Sequence, residues 1–383
     1  MLFRKRSPAQ SAESLPRTQE TELGMMDQPY LLLTLLLTLI GLIMLLSASY
    51  ARAYYETGNA AGVFVRQLGF AAAGVAILLF VSRVPYEWYN RFCVLIYLVG
   101  AVLLLLVLLI GGRAGGAKRW LNLGFNFQPS EVAKFALILI LASMLSVYRD
   151  RMKQFKTLVL CCLPTVGYAV LLYFEPHFSA IIILLAITFV MLLLAGGNRK
   201  ILIGSGLLCA GAMVGLLLVR GYTGERISAW LHPENDPLDS GLQILQSLYA
   251  IGSGGLLGLG FGQSRQKYLY LPEEHNDYIF AIVCEELGFL GAFFILLLFA
   301  LLIIRGFWIA VHARDRFSML LAAGLTTLLA VQVILNVAVV TNLLPATGIS
   351  LPFFSYGGTA LLMQMAECGV VLNISRSIDA NSK

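Results

Sequence analysis

The sequence predicts an all-α polytopic membrane protein with ten transmembrane helices. Hydrophobic residues make up 58% of the 383 positions and charged residues only 13%, whereas an ordinary soluble domain is about 25% charged. Apolar runs recur along the whole chain, and a run of roughly twenty residues crosses a hydrocarbon core about 30 Å thick. Low charge and recurring runs of this length together exclude a soluble globular fold.

The predicted spans fill the transmembrane domain, residues 28–375, and their boundaries are soft by a few residues. They are placed at 28–48, 62–82, 90–111, 131–147, 157–174, 177–195, 200–219, 277–304, 317–341 and 354–375. Residues 1–27 are polar and are expected to form a disordered cytoplasmic tail, and 376–383 form a short cytoplasmic tail. No apolar stretch ends in a small-residue cleavage site, so no cleaved signal peptide is expected.

The distribution of basic residues predicts the orientation. Ten spans place both termini on one side, and most of the 27 basic residues fall on that side, which the positive-inside rule makes cytoplasmic. Eight of the remaining ten cations lie in or next to two outer loops, 111–134 and 220–276. Positive charge on the outer side runs against the rule and indicates a polyanionic ligand at the outer membrane surface.

The large outer loop between helices 7 and 8, residues 220–276, has structure of its own. Its stretch "SGLQILQSLYAIGSGG" predicts a helix of about ten residues with Ser240 as N-cap. Such a helix is too short to span and is therefore re-entrant or interfacial. The glycine-rich run from Gly252 to Gly262 predicts a loop that is either mobile or closely packed.

The first polar cluster lies in "RAGGAKRWLNLGFNFQPSEVAK". Ser130 is a candidate N-cap of the fourth span. Glu131 and Lys134 are three residues apart and share a helix face, so they form either a self-neutralising ion pair or part of a ligand site. Lys118 and Arg119 have no acid nearby in the sequence, which favours contact with phosphate, and an arginine can hold phosphate oxygens with two hydrogen bonds.

The second cluster is "LPEEHNDYIFAIVCEELGFLGAFF". Asp277 begins the eighth span, where it is either a helix cap or a functional acid. Asn276 could cap equally well and His275 adds a polar group that a cap does not need, which favours a functional acid. Glu285 and Glu286 lie deeper. We expect one of them to tie the helix to another helix, and we assign neither to catalysis.

The third cluster is "NLLPATGISLPFFSYGGT". Its prolines and glycines predict a rigid hairpin that lines the outer cavity, with Ser355 and Tyr356 offering hydrogen bonds to a ligand. Gly357 and Gly358 are expected inside the last helix, packed closely on a neighbour. The chain has no phosphate-binding loop, dinucleotide fingerprint, nucleophile elbow or HExxH, so nothing supports ATP-driven chemistry or nucleic-acid binding.

These three motifs, in this order, resemble the SEDS family (shape, elongation, division and sporulation), and its FtsW and SpoVE branch more than RodA. The resemblance covers about residues 28–375. It implies a peptidoglycan glycosyltransferase that polymerises lipid II at the outer face of the bacterial cytoplasmic membrane, in division or a related cell-wall programme. It also implies a class B penicillin-binding protein and other divisome proteins as partners.

The resemblance carries residue roles. The essential aspartate of the family falls on Asp277, its loop arginine on Arg119, and the remaining matched positions are Gln128, Pro129, Ser130, Glu131 and Lys134. One departure stands out: "EPHFSA" occupies the place of a common Pro-Asp-Leu-Gly run, so His177 replaces an acid.

The expected mechanism is an inverting transfer. Asp277 takes the proton of the acceptor 4-hydroxyl as general base, and the donor is a glycan on undecaprenyl diphosphate. Arg119, Lys118, Lys134 and a divalent cation, Mg or Mn, neutralise the leaving diphosphate. No organic cofactor is expected. Two rival functions remain open at this point: a lipid II flippase, and a non-catalytic scaffold for a penicillin-binding protein.

Overall fold

The computed structural model describes residues 24–378 except 115–116, 123–125, 199–200, 202, 205–227 and 237–240. Nearly all of its regular structure is helical, as predicted. The helices are α1 Gln28–Thr57, α2 Gly62–Val81, α3 Tyr86–Ile110, α4 Pro129–Val147, α5 Phe155–Phe174, α6 Phe178–Leu194, α7 Leu242–Gly254, α8 Ile279–Val311, α9 Arg316–Val340 and α10 Gly358–Ser375.

Seven of the described helices are long and apolar enough to cross a membrane, namely α1 to α5, α8 and α9. The apolar α6 has 17 residues and is shorter than these. Helix α10 carries Gln364, Glu367 and Asn373 in its 18 residues and lies outside this set. The predicted span 200–219 falls almost entirely outside the described residues. The chain is therefore a multi-pass membrane protein, and the count of ten spans stays a prediction.

The prediction of an all-α fold missed a small antiparallel sheet. Strands β1 Gly112–Ala114, β2 Ala117–Asn122 and β3 Asn126–Phe127 pair in the order β1-β2-β3. The strands have two to six residues, too few for an alternating pattern to be visible. Thr359 Oγ1 of α10 donates to the Asn126 carbonyl at 3.0 Å, which fastens the sheet to the bundle.

The start of the last helix was also predicted wrongly. Helix α10 begins at Gly358, with Gly357 at the N-cap position, rather than at residue 354. The preceding residues form a turn in which Phe353 has a φ of +64° and donates its N–H to Gln364 Oε1 at 3.0 Å. The apolar run therefore continues through the turn, and hydropathy alone extends the helix too far.

The loops gather at two ends of the bundle. At the end that carries the sheet, which we call the sheet end, Arg119 Nη2 donates to the Pro176 carbonyl at 3.0 Å and Trp230 Nε1 to the Asn342 carbonyl at 3.0 Å. At the opposite end, Arg305 Nη2 pairs with Asp27 Oδ2 at 2.7 Å. The three sequence clusters thus share the sheet end, and its orientation toward the cell exterior stays a prediction.

The segment after α7 packs tightly against α8. Helix α7 has 13 residues and begins with Gly241 at its N-cap; the predicted cap, Ser240, lies outside the described residues. Helix α8 is kinked at Gly288, whose φ is +67°. A Cβ there would lie 2.2 Å from the Gly258 nitrogen. Of the two alternatives for the glycine-rich run, close packing is confirmed at this contact.

Candidate active site

Asp277 lies at the sheet end, just before α8. The helix begins at Ile279 with Tyr278 at its N-cap position and without a side-chain cap bond, so Asp277 does not cap it. The Asp277 side chain is only partly buried and faces the loop before α10, where a Cβ at Gly348 would lie 3.2 Å from Oδ2. Gly348 has a φ of +68°, a conformation that favours glycine.

The surroundings of Asp277 raise the pKa of its carboxyl group to about 6. Burial is the main cause and the negative charge of Glu273 adds to it, whereas interactions with Arg119 and His275 lower the pKa of Asp277. The carboxylate is therefore ionised at neutral pH and far more basic than an ordinary aspartate. A base with a pKa near the working pH is what proton abstraction from a hydroxyl requires.

The third cluster holds the backbone around Asp277. Ser355 Oγ donates to the Asn276 carbonyl at 2.7 Å and accepts from the Leu351 N–H at 2.7 Å, so its hydroxyl is occupied within the chain. The Tyr356 N–H donates to the His275 carbonyl at 2.9 Å. In this structure both residues position the Asp277 segment, and their contact with a ligand stays a prediction.

A buried asparagine that the sequence did not single out completes this support. Asn336 of α9 donates through Nδ2 to the Asp277 carbonyl at 2.8 Å and to the Ile349 carbonyl at 2.7 Å. It therefore joins the segment before α8 to the loop before α10. A polar residue inside an apolar helix was the available signal, because burial requires such a group to find partners.

The first cluster contributes an ion pair and one free hydroxyl. Lys134 Nζ lies 2.7 Å from Glu131 Oε2, and both side chains are buried. Ser130 is not the N-cap: α4 begins at Pro129 with Gln128 at the cap position, because proline suits the first helical residue. The Ser130 hydroxyl is buried without a hydrogen-bond partner among the described residues.

Arg119 connects these elements. It lies on β2 and shifts the pKa of Asp277, of Glu175 and of His177, so its guanidinium is within electrostatic reach of all three. Lys118 lies beside it on β2, where its backbone pairs with Arg113; its side chain is outside the described part of the structure. The strand thus brings the predicted phosphate-binding arginine to the predicted base.

Two further polar residues belong to this end of the bundle. Glu175 and His177 flank Pro176 in the turn between α5 and α6, and both are buried. Burial raises the pKa of Glu175 to about 8, against the effect of Arg119. Burial and the cations of Arg119 and Lys134 lower the pKa of His177 to about 3. In the sequence, His177 stands out only as a departure from the family pattern, and no local signal marks Glu175.

The two deeper glutamates are structural, as predicted for one of them. Glu286 accepts from Ser47 Oγ of α1 at 2.7 Å and from Lys267 Nζ at 3.0 Å. Glu285 accepts from Ser264 Oγ at 2.5 Å and from the Arg265 N–H at 2.9 Å. Both therefore hold residues 264–267 against α8.

Comparison with known proteins identifies the family. The protein-family model FTSW_RODA_SPOVE, which is described as a cell cycle protein, matches residues 27–380 of this chain. The stage V sporulation protein E of Bacillus subtilis (strain 168) is 42% identical, and the match covers 91% of this chain and 97% of the relative. A probable peptidoglycan glycosyltransferase FtsW of Trichlorobacter lovleyi is 40% identical over 92% of this chain and 93% of that protein.

A solved structure agrees with this assignment. The structure described as "Structural coordination of polymerization and crosslinking by a peptidoglycan synthase complex" matches with a TM-score of 0.76 and 27% identity, over 92% of this chain and 98% of that chain. The three sequence motifs therefore predicted the relationship correctly, and the chain belongs to the FtsW, RodA and SpoVE family.

Proposed function

We propose that this chain is a peptidoglycan glycosyltransferase that polymerises lipid II at the outer face of the bacterial cytoplasmic membrane. Its relative from Trichlorobacter lovleyi is named a probable peptidoglycan glycosyltransferase. The observation that carries the proposal is the partly exposed carboxylate of Asp277 with a pKa of about 6, within the field of Arg119 at one end of a membrane bundle. In this proposal the pair serves as the base and the phosphate-binding cation, at the end of the bundle where the lipid head group would lie.

The chemistry follows from these two groups. Asp277 removes the proton from the 4-hydroxyl of the acceptor sugar as that oxygen attacks the anomeric carbon of the donor. The bond from that carbon to the undecaprenyl diphosphate breaks, and the diphosphate leaves with the electron pair. A single base without a carboxylate nucleophile implies direct displacement with inversion, as in inverting glycosidases.

The cations stabilise the leaving group unequally. Arg119 can present a planar pair of N–H donors to the diphosphate. Lys134 is paired with Glu131 at 2.7 Å, so part of its charge is cancelled within the chain. We therefore assign the main contact with diphosphate to Arg119.

A resident metal is not supported by the described residues. They contain no group of three or more His, Cys, Asp or Glu side chains placed to hold an ion. The divalent cation expected from the sequence, Mg or Mn, stays a prediction, because such an ion is commonly held by one or two carboxylates together with substrate phosphates.

The proposed partner is a class B penicillin-binding protein. The match to a structure described as a peptidoglycan synthase complex that polymerises and crosslinks supports a crosslinking partner for this chain. We also propose that this chain works together with other proteins of the divisome.

The test is to incubate labelled lipid II with the purified protein, with and without the partner. Asp277→Asn should remain folded and bind lipid II but form no polymer. The matched control is Glu234→Gln, because that acid is exposed at the same end, with 66% of its side chain accessible, and should polymerise normally. Polymer from Asp277→Asn at the wild-type rate refutes the assignment of the base. Translocated lipid without polymer indicates a flippase, and neither product indicates a scaffold.

A further inference from the structure

Three buried polar side chains, from the turn between α5 and α6 and from the loop that packs on Asp277, are not used by the mechanism above. Glu175 and His177 come from the turn between α5 and α6, and Thr347 comes from the loop before α10. Glu175 Oε1, His177 Nδ1 and Thr347 Oγ1 are all buried, and none has a hydrogen-bond partner among the described residues. We call these three residues the turn cluster.

The turn cluster borders the site on two sides. Ser179 Oγ, two residues beyond His177, donates to the Thr347 carbonyl and ties the turn to the loop. The next loop residue, Gly348, is exposed and packs on the Asp277 carboxylate. Arg119 reaches the turn by donating to the Pro176 carbonyl at 3.0 Å. The two segments that carry the cluster are thus tied to Asp277 through Gly348 and to Arg119 through Pro176.

The three buried polar atoms of the turn cluster that lack hydrogen bonds indicate that a ligand group normally binds them. A buried donor or acceptor without a hydrogen bond is destabilising by about 1–3 kcal/mol, and native proteins contain few of them. Three such atoms on two segments that are tied to each other, and to Asp277 and Arg119, fit a site that is completed when ligand binds. Thr347 is only partly buried as a residue, so a small shift of its loop admits a ligand group.

The protonation states of Glu175 and His177 determine which ligand groups the turn cluster can bind. The pKa of Glu175, about 8, keeps this carboxyl protonated at neutral pH, and the pKa of His177, about 3, keeps its imidazole uncharged. Together with the Thr347 hydroxyl they offer neutral donors and acceptors. Such a set suits hydroxyl and amide groups, whereas an anionic diphosphate is better served by the neighbouring Arg119.

We propose that Glu175, His177 and Thr347 form a subsite that binds the hydroxyl and amide groups of the substrate sugar beside Asp277. Arg119 binds the diphosphate of the same substrate. The subsite supplies sugar selectivity, because a site built to hydrogen-bond a polar group discriminates strongly against a ligand that lacks it. This inference rests on the proposed function and names the part of the substrate that these residues recognise.

The test compares two ligands that share the lipid diphosphate: lipid II, which also carries the sugar and its attached peptide, and undecaprenyl diphosphate, which carries neither. Their binding to the detergent-solubilised full chain is measured for the wild type, Thr347→Val, Glu175→Ala and Glu175→Gln. Thr347→Val is nearly isosteric and should weaken lipid II binding about five- to tenfold, the equivalent of one neutral hydrogen bond. Glu175→Ala should weaken it at least tenfold. Glu175→Gln, a neutral isostere of the protonated acid, should stay within about threefold of the wild type.

The affinity for undecaprenyl diphosphate should be unchanged in all three variants. The control is Thr57→Val, which removes an exposed hydroxyl that bonds only within its own helix end and should bind both ligands normally. The subsite is refuted if Thr347→Val keeps the wild-type preference for lipid II, or if it loses affinity for both ligands equally. A wild-type protein that polymerises lipid II while Thr347→Val keeps that preference refutes the subsite alone. A wild-type protein that forms no polymer refutes the proposed function instead.

Discussion

Replacing Lys267 by methionine should destabilise the protein substantially. Lys267 and Glu286 are only 3% and 1% exposed, and Nζ lies 3.0 Å from Oε1. Nζ also donates to Ser47 Oγ at 3.1 Å and to the Gly262 carbonyl at 2.7 Å. Methionine keeps the length of the side chain but leaves the Glu286 carboxylate buried without its cation. Removing one partner of a buried pair typically lowers the free energy of unfolding by about 3–5 kcal/mol.

The double variant Lys267→Met/Glu286→Gln should recover most of that loss. It removes the buried charge, while the glutamine amide oxygen can still accept from Ser47 Oγ, which lies 2.7 Å from Glu286 Oε1 in the wild type. Replacing both members of a buried pair by neutral groups is often nearly neutral. The control is Arg265→Met, an exposed cation in the same segment, which should change stability by less than about 0.5 kcal/mol.

Unfolding of the purified proteins in mixed micelles, as the fraction of SDS is raised, measures these differences. The reasoning is refuted if Lys267→Met lies within about 1 kcal/mol of the wild type. It is also refuted if the double variant loses as much as the two single variants combined, because the two residues would then not be energetically coupled.

Four further predictions concern the site and the kink. The rate of polymerisation should rise about tenfold per pH unit below pH 6 and level off above it, because Asp277 acts as a base only when ionised and its pKa is about 6; a flat profile from pH 5 to 8 contradicts this role. The same raised pKa implies that Asp277→Asn stabilises the fold above pH 6, where the wild type holds a partly desolvated charge, and not below pH 4. Asn336→Ala should lower kcat about tenfold with little change in KM, since it removes two hydrogen bonds that position Asp277 rather than a ligand contact; a change confined to KM argues against positioning. Gly288→Ala should lower the melting temperature clearly, because a Cβ would meet the Gly258 nitrogen at 2.2 Å, whereas Gly252→Ala, with nothing within 4 Å, should not; equal melting temperatures would overturn the packing argument.

The positions of most helices were predictable from hydropathy, because residues that face lipid and residues buried between helices are both apolar. The second span was predicted at 62–82 and is Gly62–Val81. Errors arose where local hydrogen bonds override hydropathy. The apolar residues before Gly358 form a turn in which Phe353 donates its N–H to Gln364, and no periodic signal distinguishes that turn from a helix.

The site was predictable in part, for a different reason. Asp277 and Arg119 stand in local clusters of polar residues, and such clusters beside apolar spans are visible in the sequence. The turn cluster is not visible, because it joins Glu175 and His177 to Thr347 across about 170 positions of chain. Only the packing of α5 and α6 against the loop before α10 brings these residues together, as the Ser179–Thr347 hydrogen bond shows.

The way the chain holds Asp277 explains how one residue can be both firmly placed and chemically available. Asn336 Nδ2 binds the Asp277 carbonyl at 2.8 Å, and Ser355 Oγ binds the preceding carbonyl, that of Asn276, at 2.7 Å. Both bonds end on main-chain oxygens, so they fix the backbone and leave the carboxylate to exchange a proton. A carboxylate held by its own oxygens would be a weaker base, since donors to the charged form lower its pKa. The same backbone bonds reach α9 and the loop before α10, so any movement of that loop reorients the base. We therefore expect the position of that loop and the alignment of Asp277 to change together.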